Sequence, residues 1–117
     1  MYKILLVEDE PNLLELYKEE LQEEGYEIIS TMDGEDAVLK TKKELPDLVV
    51  LDIKIKKLQG LEVLKKIKEF NKNLPVILNS AYEVFKLNFS SWIADAYLIK
   101  SSNLTELKEK IKELLVV

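Results

Sequence analysis

The sequence contains no cysteine and no histidine, and all 17 of its basic residues are lysine. Without cysteine the chain has neither disulfide bonds nor a thiolate nucleophile, and without histidine as well it lacks the usual zinc ligands. The absence of histidine also excludes a Ser-His-Asp triad and a histidine that acts as a general base near neutral pH. Any chemistry must therefore use carboxylates, hydroxyls and lysine amines, with or without a hard cation.

Charge and hydrophobicity narrow the class of protein further. The formal net charge of −5 argues against a nucleic-acid-binding surface, which needs a basic footprint. No apolar run approaches the roughly 20 residues of a membrane span, and the N-terminus lacks a signal-peptide core. With 117 residues, 47% of them apolar, the chain has the size and composition of one globular domain. We therefore expect a single soluble, cytoplasmic domain over residues 1–117, with no direct nucleic-acid contact and no membrane insertion.

Two hydrophobic periodicities alternate along the chain. Short apolar runs predict buried strands, and apolar residues at helical spacing between them predict helices. The predicted strands are 3–7, 27–31, 47–52, 74–79 and 94–99. The predicted helices have apolar stripes within 13–21, 34–44, 61–70, about 82–92 and 104–114. Five strand–helix units predict a parallel sheet that is covered by helices on both faces.

Local signals mark the ends of two of these helices. Pro11 suits the first turn of the first helix, and Gly25 suits the position just past its end. Asn103, with Glu106 three residues later, indicates the start of the last helix.

Polar side chains follow the carboxyl ends of four of the five predicted strands. Glu8-Asp9-Glu10 follows the first strand, Asp52 ends the third, Ser80 follows the fourth and Lys100 follows the fifth. In a parallel sheet, ligand sites lie beyond these carboxyl ends, at the point where the strand order reverses. An oxygen-rich cluster without histidine suits Mg²⁺, which keeps several of its waters and binds few carboxylates.

The same groups suit phosphoryl transfer. Asp52 is placed to reach both a metal ion and an incoming phosphoryl group, and a carboxylate can act as the nucleophile that forms an aspartyl phosphate. Ser80 can donate a hydrogen bond to a phosphoryl oxygen, and Lys100 supplies positive charge opposite the metal. Positioning and charge neutralisation are what this reaction mainly requires of a protein.

Four segments together resemble the receiver domain of two-component response regulators, over essentially the whole chain. They are Ile4-Leu5-Leu6-Val7-Glu8-Asp9-Glu10, Pro46-Asp47-Leu48-Val49-Val50-Leu51-Asp52, Asn79-Ser80-Ala81 and Ala94-Asp95-Ala96-Tyr97-Leu98-Ile99-Lys100. Each segment is weak evidence alone, but their order and spacing make the set highly specific. The resemblance implies a doubly wound, flavodoxin-like α/β fold of (βα)5 topology, with five parallel strands in the order 2-1-3-4-5.

The resemblance also implies a phosphoryl acceptor and a metal site. Asp52 would accept a phosphoryl group from a phosphohistidine on a histidine kinase or a histidine phosphotransfer protein. Glu8, Asp9, Asp52 and the backbone carbonyl of Lys54 would hold Mg²⁺.

A conformational switch is the third implication of the resemblance. Ser80 would bind the phosphoryl oxygens together with Lys100, and Tyr97 occupies the family's aromatic switch position. In family members the serine moves toward the phosphate and the ring turns inward, which reshapes the face formed by the fourth helix, the fifth strand and the fifth helix. That face would bind a downstream protein target, and the chain would act as a single-domain response regulator.

Departures from the family pattern support a different interpretation. Ser101 replaces the proline that usually follows the lysine, Ile55-Lys56 replaces a common Met-Pro, and lysines within 54–57 add positive charge beside the acids. The alternative is therefore a receiver-like interaction module that binds its partner constitutively, without phosphorylation. Lys54 and Tyr82, which flank the site, are candidates for controlling hydrolysis. A Mg²⁺-dependent hydrolase is a weaker third possibility, because the sequence has no second general base and no glycine-rich phosphate-binding loop.

Each candidate residue also has a purely structural interpretation. Acids at 8–10 favour a helix start, Ser80 alone fits a turn, and Lys100 alone fits the surface. Tyr97 on a strand is usually a packing residue. Asp52 is harder to explain in this way, because an unpaired carboxylate on a buried strand is costly. A core and a docking surface are equally good explanations for the aromatic residues of the fourth predicted helix, Phe85, Phe89 and Trp92.

Overall fold

The structure, a computed structural model, describes residues 1–53, 57–80, 94–100 and 103–115, without the side chains of residues 53 and 57–59. Five strands and four helices lie within these residues: β1 (Lys3–Val7), α1 (Pro11–Glu23), β2 (Glu27–Thr31), α2 (Gly34–Glu44), β3 (Leu48–Ile53), α3 (Lys57–Phe70), β4 (Val76–Ser80), β5 (Ala96–Ile99) and α4 (Thr105–Leu115). The fourth predicted helix, about 82–92, lies outside these residues. The helix labelled α4 is therefore the last of the five helices predicted from the sequence, not the fourth. None of the described helices has the length and apolar character needed to cross a bilayer.

The strands form one parallel sheet in the order β2-β1-β3-β4-β5. This confirms the predicted doubly wound α/β fold and its strand order. The apolar runs of β1, β3 and β4 lie in the interior of the sheet, where strands are buried on both faces and show little alternation between apolar and polar residues. Strand order reverses between β1 and β3, so the carboxyl ends of these two strands form the switch point at which ligands bind in such sheets.

Alternate strand residues face opposite layers of helices. The α1/α4 core lies between the sheet and helices α1 and α4, and its buried residues are Ile4, Leu6, Tyr17, Leu21, Leu48, Val50, Ile77, Leu98, Leu104, Leu107, Ile111 and Leu115. The α2/α3 core covers the other face, with Leu5, Val7, Ala37, Val49, Leu51, Val63, Leu64, Ile67, Leu74, Val76 and Leu78. Because side chains alternate along a strand, Glu8, Asp52 and Lys100 continue the rows that face the α1/α4 core.

The start of β5 differs from the prediction for an identifiable reason. β5 begins at Ala96 rather than at Ala94, because Asp95 is held by neighbouring elements. Its Oδ2 accepts the N–H of Val76 at 2.8 Å and lies 2.7 Å from Lys68 Nζ, which also donates to the carbonyl of Leu74 at 2.8 Å. These contacts connect the end of α3 with the start of β4 and the approach to β5.

The ends of the helices follow the local signals in the sequence. Gly25 directly follows the C-cap of α1 with φ of +95°, a conformation that favours glycine. Asn103 Oδ1 accepts the N–H of Thr105 at 2.9 Å, which confirms the predicted start of α4. Leu45 ends α2 in the left-handed conformation, with φ of 49°, and it is the only non-glycine residue with positive φ in the described part of the chain. The backbone is strained there, since a left-handed conformation brings Cβ close to a carbonyl oxygen.

Replacing Leu45 with glycine should therefore stabilise the protein. The side chain is 66% exposed, so little burial is lost, and we expect the free energy of unfolding to rise by about 0.5–1 kcal/mol. Leu39 is a matched control, because it is 64% exposed but lies inside α2. Leu39→Gly should lower the stability by about 1 kcal/mol. Urea unfolding measures both values. A Leu45→Gly protein less stable than wild type would contradict the inference that the backbone is strained at Leu45.

Candidate functional site

Two buried carboxylates share one lysine at the carboxyl end of the sheet. Lys100 Nζ lies 2.7 Å from Asp52 Oδ1 and 2.8 Å from Glu8 Oε1. The side chains of Glu8, Asp52 and Lys100 are 1%, 5% and 15% exposed. They follow or end β1, β3 and β5 on the same face of the sheet, so the topology brings together residues that are far apart in the sequence. The structure thus places in contact three residues that the sequence predicted to lie together.

The three acids that follow β1 have different surroundings. Glu8 is buried, and its Oε2 accepts the N–H of Glu10 at 3.1 Å. Asp9 is exposed, yet it offers a carboxylate oxygen within 4.8 Å of those offered by Glu8 and Asp52. Glu10 instead caps α1, where its carboxylate accepts two N–H groups of the first turn. The helix-start interpretation is therefore right for Glu10, whereas Glu8 and Asp9 belong to the acidic cluster.

Ser80 and Tyr97 lie on the opposite face of the sheet, beside the α2/α3 core. Ser80 is fully buried as the last residue of β4, and its carbonyl accepts the N–H of Lys100 at 2.6 Å. Burial raises the pKa of Tyr97, and a hydrogen bond with the Ser80 side chain acts in the opposite direction. Ser80 is paired in register with Ile53, directly after Asp52. Ser80 therefore contacts both β3, the strand that carries Asp52, and Tyr97, the aromatic residue predicted as a switch.

Several residues named in the sequence analysis lie outside the described residues. They are Lys54, Ile55, Lys56, Tyr82, Phe85, Phe89, Trp92 and Ser101. Lys57 begins α3, but its side chain is also outside the description.

A single lysine faces the acids of this cluster. Burial raises the pKa of Asp52 to about 6, the hydrogen bond from Lys100 opposes this rise, and the charge of Glu8 adds to it. Burial favours the neutral form of Lys100, but its contacts with Asp52 and Glu8 outweigh that effect and raise its pKa. One protonated lysine thus faces two buried carboxylates, and the exposed Asp9 adds a third acid at the rim.

Unsatisfied oxygens in the cluster fit a hard cation. Within the described part of the chain, the buried Asp52 Oδ2 has no hydrogen-bond partner, and Glu8 Oε1 makes its ion-pair contact with Lys100 without hydrogen-bond alignment. Buried oxygens in this condition are costly unless another group satisfies them. Mg²⁺ is a suitable group, because it prefers carboxylate oxygens and needs only a few of them. Glu8, Asp9 and Asp52 therefore form a donor set that fits this metal.

Reasoning from the sequence missed a buried polar pair next to the cluster. Asn79 Nδ2 donates a hydrogen bond of 3.3 Å to the hydroxyl of Tyr17, and both side chains are buried. Tyr17 falls within the apolar stripe predicted for 13–21, and Asn79 falls within both the predicted strand 74–79 and a segment that resembles the family. A signal was present, since a buried phenol and a buried amide each require a hydrogen-bond partner.

Comparison with protein families and curated proteins agrees with the geometry. A family model for the response regulator receiver domain matches residues 4–112. The alkaline phosphatase synthesis transcriptional regulatory protein PhoP of Bacillus subtilis is 35% identical over 97% of this chain and 48% of its own length. The probable transcriptional regulatory protein TcrX of Mycobacterium tuberculosis is 33% identical over 96% of this chain and 49% of its own. The chain thus spans about half the length of these curated relatives.

Solved structures provide a similarity over the full length of both chains. The response regulator protein TrrA from Thermotoga maritima, in complex with Mg²⁺-BeF, superposes with a TM-score of 0.93 at 50% identity and covers 98% of this chain and 100% of that one. TrrA in complex with the histidine kinase ThkA superposes with a TM-score of 0.90, again at 50% identity, over 98% of this chain and 99% of that one.

Neutralising Asp52 should stabilise the protein when Mg²⁺ is absent. The folded-state pKa of about 6 lies above the ordinary value of 3.8, so folding disfavours the charged form. This penalty is complete above pH 6, shrinks as the pH falls and disappears below about pH 4. Lys100 stays protonated throughout, because its pKa is raised. We expect Asp52→Asn to raise the free energy of unfolding by about 2 kcal/mol at pH 7.5 and by far less at pH 4.

Urea unfolding across this pH range measures the effect. Asp33→Asn is the control, since Asp33 is an exposed helix cap and asparagine caps equally well. The control should give no comparable gain at pH 7.5. Equal stability of wild type and Asp52→Asn at every pH would show that burial places no penalty on this charge.

Proposed function

Because the chain belongs to the receiver domain family of response regulators, we propose that it accepts a phosphoryl group on Asp52 in a Mg²⁺-dependent reaction. The observation that carries the proposal is the buried Asp52 carboxylate, which has one oxygen on Lys100 and the other without a partner among the described residues. Residues 1–117 contain no histidine, so the phosphohistidine of a donor must lie outside them. A histidine kinase is the first candidate, since TrrA binds one, and a histidine phosphotransfer protein is the second.

The proposed transfer is a single displacement at phosphorus. A carboxylate oxygen of Asp52 forms a bond to phosphorus, the phosphorus–nitrogen bond of the donor breaks, and its electron pair stays with the imidazole nitrogen. Asp52 is mostly ionised at neutral pH, since its pKa is about 6. Lys100 already contacts this carboxylate, so its positive charge is in place for the phosphoryl oxygens. Ser80 would donate its hydroxyl to one of those oxygens.

Glu8, Asp9 and Asp52, with the backbone carbonyl of Lys54, would hold Mg²⁺. The bound cation would neutralise charge on the carboxylates and on the transferred group. The acids alone would repel an incoming phosphoryl group, and Lys100 offsets only part of their charge.

Ser80 and Tyr97 would relay phosphorylation to a protein-binding face. The hydrogen bond between their side chains supports this role, because a serine hydroxyl drawn toward a phosphoryl group would leave the tyrosine. Tyr97 would then repack within the face formed by the fourth predicted helix, β5 and α4, and a downstream protein would bind there. Action as a single domain over residues 1–117 and a cytoplasmic location are parts of the same proposal.

Intact-mass measurement after incubation with Mg²⁺ and a small acyl phosphate tests the reaction. Wild type and the Asp33→Asn control should each gain the mass of one phosphoryl group, and Asp52→Asn should gain none. A folded wild-type protein that gains no mass would contradict the proposal and favour the constitutive interaction module. An equal gain in Asp52→Asn would mean that another residue is the acceptor.

Removing the charge of Lys100 should slow the same reaction. Lys100→Gln is expected to lower the phosphorylation rate constant by about 100-fold, because charge stabilisation in a buried site is worth a few kcal/mol. Lys108→Gln is the matched control, since Lys108 also lies beside glutamates, with Nζ 2.6 Å from Glu20 Oε1, but it connects α4 with α1 and not with the acidic cluster. Mass spectra over time give both rates. Similar rates for the two variants would show that the charge of Lys100 does not contribute to the proposed reaction.

A further inference from the structure

The side chain of Lys100 has to cross a strand to reach its partners. Lys100 follows β5, which is separated from β3 by β4 and from β1 by β4 and β3. Its ammonium nevertheless lies 2.7 Å from Asp52 Oδ1 on β3 and 2.8 Å from Glu8 Oε1 after β1. Neighbouring strands are about 4.8 Å apart. The lysine side chain must therefore extend across β4 at the level of Asp52.

The residue of β4 at that level is Asn79. It is paired in register with Asp52 on one side and with Leu98, two residues before Lys100, on the other. Ile77, two residues earlier on β4, lies in the α1/α4 core, so Asn79 points to the same face as Asp52 and Lys100. Register and alternation thus place Asn79 on the face of β4 that the lysine has to cross.

Tyr17 holds the Asn79 amide from the helix side. Asn79 Nδ2 donates to the Tyr17 hydroxyl at 3.3 Å, and both residues are buried. Burial raises the pKa of Tyr17 and the Asn79 bond opposes it, while the charges of Lys100, Glu8 and Asp52 all act on the same hydroxyl. The Tyr17 hydroxyl is therefore close enough to Lys100, Glu8 and Asp52 to be influenced by their charges, although Tyr17 and Asn79 are themselves uncharged.

We infer that Tyr17 and Asn79 are positioning residues that keep the Lys100 ammonium directed at Asp52. Lysine has a flexible four-carbon stem, so its direction depends on the surface over which it passes. With Nδ2 engaged by Tyr17, the amide is fixed in one orientation. Without the hydroxyl, the amide can rotate and offer its oxygen to the ammonium, in competition with Asp52. This inference rests on the proposed phosphorylation of Asp52.

A small cavity next to the pair makes this rotation sterically feasible. It has a volume of about 20 Å³, room for about one water, and is lined by Tyr17, Asn79, Leu98, Asn103, Leu104 and Leu107 among others. The same space helps to accommodate a leucine at position 79. Both substitutions that test the inference are therefore expected to leave the protein folded.

The test is a double-mutant cycle on the phosphorylation rate with acyl phosphate and Mg²⁺. Tyr17→Phe should slow phosphorylation by about fivefold, the size expected for one buried hydrogen bond, and leave the Mg²⁺ dissociation constant within about twofold. In the Asn79→Leu background the amide oxygen is gone, so adding Tyr17→Phe should change the rate by less than about twofold. Tyr26→Phe, which removes a hydroxyl from a tyrosine that follows Gly25, is the control and should match wild type.

An NMR measurement on the Mg²⁺-free protein separates positioning from a general loss of structure. In wild type the two Hε protons of Lys100 should have distinct shifts, because the side chain is held in one conformation. In Tyr17→Phe they should converge, while the backbone amide shifts of β2 stay unchanged. Thermal unfolding at the assay pH verifies that each variant is folded.

The outcomes distinguish this inference from the proposed function. If wild type is not phosphorylated, the proposed function fails, whatever the NMR result. If wild type is phosphorylated but Tyr17→Phe keeps its rate and its distinct Hε shifts, the positioning role is wrong and the proposed function stands. An equal slowing by Tyr17→Phe in both backgrounds would show that Tyr17 does not act through Asn79.

Discussion

The interaction on which the site depends is one lysine shared by two buried carboxylates. Lys100 satisfies one oxygen of Asp52 and contacts Glu8, yet it cannot compensate both charges. Burial, together with the charge of Glu8, raises the pKa of Asp52, and the second Asp52 oxygen has no hydrogen-bond partner in the described residues. A site held in this condition favours positive charge. The proposed phosphoryl transfer would use that preference, since the reaction requires both a cation and a nucleophilic carboxylate.

The parallel sheet is what makes this arrangement possible. Four of the five strands contribute residues near their carboxyl ends, and the alternation of side chains separates those residues into two sets. Glu8, Asp52 and Lys100 continue the rows above the α1/α4 core, and Ser80 and Tyr97 lie beside the α2/α3 core. The chemistry and the proposed switch therefore occupy opposite faces of the same strands, joined where the carbonyl of Ser80 accepts the N–H of Lys100. This backbone hydrogen bond gives a short path from one face to the other.

Much of the fold and of the acidic cluster was predictable, because the signals for them are local. Apolar runs, helical spacing and the glycine after α1 depend on neighbouring residues alone. Strand boundaries that depend on distant contacts were harder to predict from the sequence. β5 starts later than predicted because Asp95 binds Lys68 and the N–H of Val76. Phe70, predicted on the apolar stripe of α3, is exposed at the end of that helix, since its burial depends on what the last turn faces.

The sequence by itself determined the fold class, the strand order expected from the family resemblance, and the acids and lysine at the strand ends. The fold class follows from periodicity and the site residues from residue type at a strand end, whereas the strand order was implied by the resemblance to the family. Only the tertiary structure decided which acid caps a helix and which is buried, and that Tyr17 and Asn79 form a buried hydrogen-bonded pair. Those properties depend on residues such as Tyr17 and Asn79 that are far apart in the chain, and no local pattern encodes which of them meet.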